Sequence, residues 1–184
     1  MLTGRLQKGM AWLDAFEGRL CVPCNLITRN RGVRGYFRLC SRLGDGVAWY
    51  ALLAVLPLLH GKPALMPVLA MSISGLIGVL LYKRLKSALV RERPFASHLG
   101  VQPITAPLDQ YSFPSGHTMH ATAFAVQLAW YFPEVMWLVT PFALSVAASR
   151  VILGLHYPTD VVAGALMGWA LARGSLYLTA AIGI

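Results

Sequence analysis

Three separated blocks of polar residues could between them handle an anion: Lys86 with Arg93-Pro94, then Pro114-Ser115-Gly116-His117, then Ser149-Arg150 with His156 and Asp160. Arg neutralises phosphate oxygens through a planar fork, and Lys adds a point charge. A Ser-Gly turn at the start of a helix presents backbone N–H groups to an anion, aided by the helix dipole. An imidazole beside a carboxylate can serve as a nucleophile, and a second imidazole can hand a proton to the leaving oxygen. Together these are the parts needed to bind a phosphate, attack it and protonate what departs.

Each block alone has a plainer explanation. Lys86 and Arg93, with Lys83, Arg84 and Arg91 beside them, could be ordinary basic flanks of a membrane span. Ser115 could be only an N-cap, and Thr159-Asp160 also looks like a helix start. Lys86 and Arg93 are seven apart, so they would share a face if one helix carried both before Pro94 stops it. Asp160 follows His156 by four positions, but Pro158 interrupts helical spacing, so their contact would be made across a turn.

The elements that must position these blocks are read from composition. The chain has 184 residues, 57% hydrophobic and 12% charged, with a formal charge of +9. That charged fraction is about half of a soluble domain's. The long apolar runs argue against a basic nucleic-acid binder. The fold expected is all-α, an integral membrane bundle of about five to six spans. Five apolar segments are visible: 47–60, 64–82, 118–132, 135–153 and 159 onward. Pro133-Glu134 makes a tight turn, and a polar loop occupies about 83–117. Counting crossings puts all three blocks at one face.

Residues 1–45 form a basic segment expected at the membrane interface, and 46–184 the membrane-embedded domain. Leu2, Leu6, Met10, Leu13, Phe16 and Leu20 recur at helical steps, which predicts an amphipathic helix with Trp12 at headgroup depth. The alternative is an ordinary helix packed on the bundle. Arg29, Arg31, Arg34, Arg38 and Arg42 follow as a polar approach to the membrane. Cys21 and Cys24 lack a second ligand pair, so plain thiols are expected of them and of Cys40. Gly164, Gly168 and Ala172 form a small-residue row that lets helices approach closely and would seat Asp160 rigidly. Arg173 is costly on that segment unless it snorkels or faces the bundle. His120 reads as a packing or hydrogen-bonding residue, and His98 and His60 as loop or interface residues.

In this order and with these spacings, the blocks resemble the signature of the type 2 phosphatidic acid phosphatase superfamily, which also contains the vanadium haloperoxidases. The match runs through Lys86, Arg93, Pro94, Pro114, Ser115, Gly116, His117, Ser149, Arg150, His156 and Asp160. The resemblance implies that His156 attacks phosphorus to form a phosphohistidine, oriented by Asp160, while His117 protonates the leaving group. It implies phosphate binding by Lys86, Arg93, Ser115, Gly116 and Arg150, with no metal or other cofactor. Many membrane members have six spans, whereas five are visible here.

The function implied is a lipid phosphatase whose partners are the bilayer and a lipid phosphate, not nucleic acid. Candidate substrates are a polyprenyl diphosphate, phosphatidic acid, phosphatidylglycerophosphate, and a phosphorylated lipid A or sugar lipid. Two alternatives stand beside it. A haloperoxidase is disfavoured, since those relatives are large and soluble. A non-catalytic lipid-phosphate binder or transporter would be expected to have lost a catalytic His or Asp. The basic residues of the N-terminal segment and the 83–93 stretch place the site towards the cytoplasm of a bacterial inner (plasma) membrane.

Overall fold

The structure, a computed structural model, describes residues 2–183, with side chains from Trp12 onward. Leu2, Arg5, Leu6, Lys8 and Met10 therefore lie outside the described side chains. The chain folds into eight α-helices, with no strand among the described residues: α1 (Leu2–Leu26), α2 (Arg31–Gly44), α3 (Val47–His60), α4 (Leu65–Leu89), α5 (Pro94–Ser97), α6 (Gly116–Tyr131), α7 (Met136–Ile152) and α8 (Pro158–Ala181). Among the described residues, three helical stretches are long and apolar enough to cross a membrane: Lys62–Ser97, Pro133–Ile152 and Pro158–Ala181. The pair α2–α3, bent by 58°, would make a fourth. This protein is a membrane protein.

The helix read from the sequence as a span at 118–132 is the 16-residue α6. It forms the centre of the bundle, packed by α4, α7 and α8. Met119, Ala121, Ala123 and Leu128 along it are buried. Trp49 of α3 stacks on Phe124 of α6 at 5.2 Å and meets Phe142 of α7 at 5.3 Å, which ties α3 into the same core. Burial of such aromatic side chains dominates a small core's stability.

The row of small residues on α8 does what its spacing predicts. A Cβ at Gly164 would stand 2.5 Å from the carbonyl oxygen of Ser115, and one at Gly168 would run into that of Met119. The α6 and α8 backbones thus touch beside the Ser115 turn and Asp160. Gly168→Val is expected to destabilise the detergent-purified protein by about 3 kcal/mol, because backbone cannot move aside as a side-chain tip can. A thermal unfolding midpoint equal to wild type would refute the close packing.

Helix α1 has two distinct sides. Trp12, Phe16 and Leu20 are exposed, while Glu17 and Cys21 are buried against the protein. The helix therefore docks through its polar side and turns its apolar side outward. Asn25 pins its end by donating to the carbonyls of Gln102 and Ile152, at 2.9 and 3.1 Å, and accepting from Gln102 N–H at 2.9 Å. The three cysteines are free thiols, Cys21 packing against Val101 and Tyr157. Arg173 is exposed on the outer face of α8, so it does not face the bundle.

Candidate active site

Lys86 and Arg93 do not share a helix. Helix α4 ends at Leu89, and Val90 caps it in the left-handed conformation at φ 44°. The chain reverses there and runs extended to Arg93, the N-cap residue of α5. The two cations converge because both grip one carboxylate. Asp109 Oδ1 accepts from Lys86 Nζ and from Arg93 Nη2, each at 2.6 Å. Lys86 also donates to the Tyr111 carbonyl at 2.9 Å, and Arg93 to those of Leu155 (2.7 Å) and Asp109 (3.1 Å).

Asp109 was not singled out by its sequence context, a Leu-Asp-Gln stretch in a polar loop. Burial alone would raise its carboxyl, but the hydrogen bonds and charges of Lys86 and Arg93 outweigh that and hold it below the usual carboxylate range. It occupies the position between the two cations that an incoming anion would need. Asp109→Asn is expected to strengthen inhibition by inorganic phosphate several-fold, since a neutral amide competes less well for the cations than a carboxylate. Weaker inhibition would mean that Asp109 chiefly holds the cations in place.

His156 follows α7 in a buried turn, Leu153–Tyr157, whose N–H groups fold back on the helix end: His156 N–H and Leu155 N–H both donate to the Arg150 carbonyl at 3.0 Å. Its Nε2 lies 3.4 Å from Arg93 Nη1. A guanidinium only donates, so Nε2 faces it with a lone pair and the ring proton belongs on Nδ1. Burial, then the charges of Arg150, Arg93 and Lys86, push the His156 imidazole well below its usual value. The ring is a neutral base whose free nitrogen faces the cations.

The partner expected for Nδ1 is Asp160, but the contact is not closed. Asp160 Oδ2 stands 3.6 Å from His156 Nδ1, which has no hydrogen-bond partner. Asp160 is engaged elsewhere: Arg91 Nη1 donates to it at 2.5 Å, Tyr157 N–H at 2.8 Å, and the Ser112 hydroxyl also binds it. The Tyr157 contact is the helix-start role read from the sequence. In empty sites catalytic hydrogen bonds are often long and tighten on binding.

Arg91, read from sequence as a basic flank, is 4% exposed. Besides Asp160 it donates to Asp14 at 2.6 Å and Glu17 at 2.7 Å, and it lies 4.1 Å over the Tyr157 ring. Glu17 also accepts from Thr159 N–H at 2.6 Å. This network fastens α1 to the start of α8, beneath the site.

Ser115 is the N-cap of α6: its Oγ accepts from Thr118 N–H at 3.4 Å, and the residue is fully buried. Gly116 and His117 line the cavity, and Ser115 stands immediately before them. His117 Nε2 pairs with Asp45, at the end of α2. Gly46, at φ 125°, turns the chain into α3 there and aims Asp45 inward. Arg150, 3% exposed, donates from Nη1 to Ser41 Oγ at 2.6 Å. His120 is structural, its ring nitrogens 2.9 and 3.1 Å from the carbonyls of Gly116 and Gly75. His60 lies near Glu134 and His98 meets the Tyr157 ring, both away from the cavity.

The cavity, about 400 Å³, has two halves. Lys86, Arg93, Arg150, His117 and His156 line the polar half. Trp49, Leu53, Leu76 and Val79 of α3 and α4 line the other, at the depth of the spans. Residues 63–183 match the PAP2 superfamily. The chain belongs to the PAP2 superfamily. Similar to this PAP2 chain is the undecaprenyl-diphosphatase of Sulfolobus acidocaldarius, 31% identical over 137 residues, which cover 74% of this chain and 66% of that protein. The decaprenylphosphoryl-5-phosphoribose phosphatase of Mycolicibacterium smegmatis is 44% identical over 82 residues, 44% of this chain and 42% of its own length. Both matches thus span less than two thirds of the relative. The PAP2 fold is shared with the crystal structure of a transmembrane phosphatidylglycerolphosphate phosphatase from Bacillus subtilis: TM-score 0.72, 24% identity, 92% of this chain and 87% of that one. Aquifex aeolicus LpxE superposes with a TM-score of 0.70 at 25% identity, covering 86% of this chain and 93% of that one.

Proposed function

We propose that this PAP2 protein is a lipid phosphatase, hydrolysing a phosphate or diphosphate monoester of a lipid through a phosphohistidine. The observation that carries this reading is the two-sided cavity: three cations, the carboxylates of Asp45 and Asp109 and the His117 and His156 imidazoles at one end, an apolar cleft between α3 and α4 at the other. A headgroup phosphate fits the first and a hydrocarbon chain the second. The relatives named for undecaprenyl diphosphate and lipid-linked phosphoribose act on lipids with the same two parts.

In the proposed reaction His156 Nε2 bonds to phosphorus as the bond to the lipid oxygen breaks. His117 gives that oxygen a proton. Water then attacks phosphorus, returning a proton to His117, the N–P bond breaks and inorganic phosphate leaves. Lys86, Arg93 and Arg150 neutralise the phosphoryl oxygens, with Gly116 N–H at the α6 start. Ser115 supports that start as its cap. Asp160 steadies the Nδ1–H tautomer of His156, and the fixed cations supply the charge a metal would bring. Residues 1–45 form an interfacial segment and 46–184 the embedded domain; with α6 counted, the bundle crosses the membrane about five times. The basic residues of α2 and of the α4 end favour, by the positive-inside tendency, a site on the cytoplasmic face of a bacterial inner membrane.

The test is phosphate release by detergent-purified protein, with chelator present, across lipid monophosphates and diphosphates. Release supports a metal-independent phosphatase. No release on any of them would favour a lipid-phosphate binder or transporter. Asp45 sharpens the assignment of His117: Asp45→Asn is expected to lower kcat about a hundred-fold on an alkyl phosphate. The loss should shrink with an aryl phosphate, whose leaving group needs no proton. An equal loss on both would remove Asp45 from the proton-transfer step.

A further inference from the structure

A second, polar cavity of about 180 Å³ adjoins the first, between α2, residues 105–108 and Arg150. Arg38, Ser41, Arg42 and Asp45 line it from one side. Their spacing of three, four and seven residues puts them on one face of α2 and its cap. The proposed reaction uses neither Arg38 nor Arg42. Both are exposed, and neither joins a salt bridge among the described residues.

Arg150 is the wall between the two cavities and lines both. It is 3% exposed, its Nη1 is turned to Ser41 on the α2 side, and its Nε has no partner among the described residues. A buried charged donor without an acceptor is costly until an acceptor arrives. Asp45, the one carboxylate lining this space, is paired with His117. That one carboxylate offsets only part of the charge of the three arginines. Three guanidinium groups and a hydroxyl then face a space that opens beside the polar loop, not between the apolar spans.

We propose that this second cavity binds a second phosphate group, held by Arg38, Arg42 and Arg150. The inference rests on the lipid-phosphatase reading. The group has two possible sources, a further phosphate in the substrate headgroup or the inorganic phosphate product leaving for water. The shared walls Asp45, Leu108 and Arg150 make either passage direct. Arginine is suited to the task because its fork matches phosphate oxygens.

The test compares the full-length wild type with Arg38→Gln/Arg42→Gln. The substrates are a prenyl monophosphate and the diphosphate of the same chain, with added inorganic phosphate as inhibitor. A headgroup source predicts that the diphosphate-to-monophosphate ratio of kcat/KM falls about ten-fold. A product source predicts that the ratio holds while the inhibition constant of inorganic phosphate rises about ten-fold. Ala106→Asp, which brings a carboxylate into the cavity from the loop and leaves α2 intact, should move the same quantity in the same direction. If neither quantity moves in either variant, the second site is refuted. Wild type inactive on both substrates would instead refute the phosphatase reading on which it rests.

Discussion

Replacing His156 with alanine is expected to reduce phosphate release by about 10⁴-fold or more, the scale seen when a covalent nucleophile is removed. The expectation follows from three features. The imidazole is 1% exposed, so water does not solvate its free nitrogen. Its Nε2 faces Arg93, where a phosphoryl group would be held. Burial and three neighbouring cations push its proton affinity well below the usual imidazole range, which favours the neutral, nucleophilic ring. Folding should survive, because the ring makes only two long polar approaches among the described residues, 3.4 Å to Arg93 and 3.6 Å to Asp160. A covalent intermediate can be sought directly: denaturing the working enzyme in alkali should trap phosphate on His156 when the substrate carries labelled phosphorus. Substantial turnover by His156→Ala would shift attack to water and leave His156 a binding role.

Replacing Arg91 with methionine is expected to cost about 3–5 kcal/mol of stability, the range for stripping one partner from a buried ionic network. Glu17 and Asp160 are 2% and 0% exposed, and Asp14 is their half-buried neighbour. Three carboxylates would lose their common cation. For a chain of this length that corresponds to a midpoint lower by roughly 10 °C or more. Arg91→Lys should recover only part of the loss, since an ammonium cannot fork between Asp14, Glu17 and Asp160. Adding Glu17→Gln to the methionine variant should restore part of it by removing a stranded charge. Activity should fall as well, because Arg91 helps hold the carboxylate beneath His156. Unchanged thermal unfolding of Arg91→Met would show that Ser112 and the Tyr157 N–H suffice to hold Asp160.

The contrast between Arg91 and Arg93 shows how far residue types and spacing reach. Both stand two positions apart in one basic stretch, and only Arg93 fell within a recognisable block. After the turn at Val90, Arg91 meets Asp14, Glu17 and Asp160, while Arg93 meets Asp109. A β-branched residue at positive φ is not foreseeable from sequence, since its intrinsic preference opposes it. Asp45 and Asp109 were invisible for a related reason. Each is a carboxylate in a polar stretch of ordinary composition, and each acquires meaning only from a cation or imidazole far along the chain: 72 positions from His117 for the first, 23 and 16 from Lys86 and Arg93 for the second.

What the sequence by itself determined was the helical class, the membrane setting, the small-residue contact on α8 and the family blocks around Lys86, Arg93, His117, Arg150 and His156. These rest on local properties: apolar run length, the absence of a Cβ, and side-chain chemistry at short spacings. The tertiary structure decided what lies between the blocks. It placed Asp109 across two cations, Asp45 against His117 and Arg91 beneath Asp160. It also turned one edge of Arg150 towards a second cavity. Such pairings arise because a buried charge in a low-dielectric bundle must find its counterpart wherever the fold brings one, and sequence distance carries no record of that meeting.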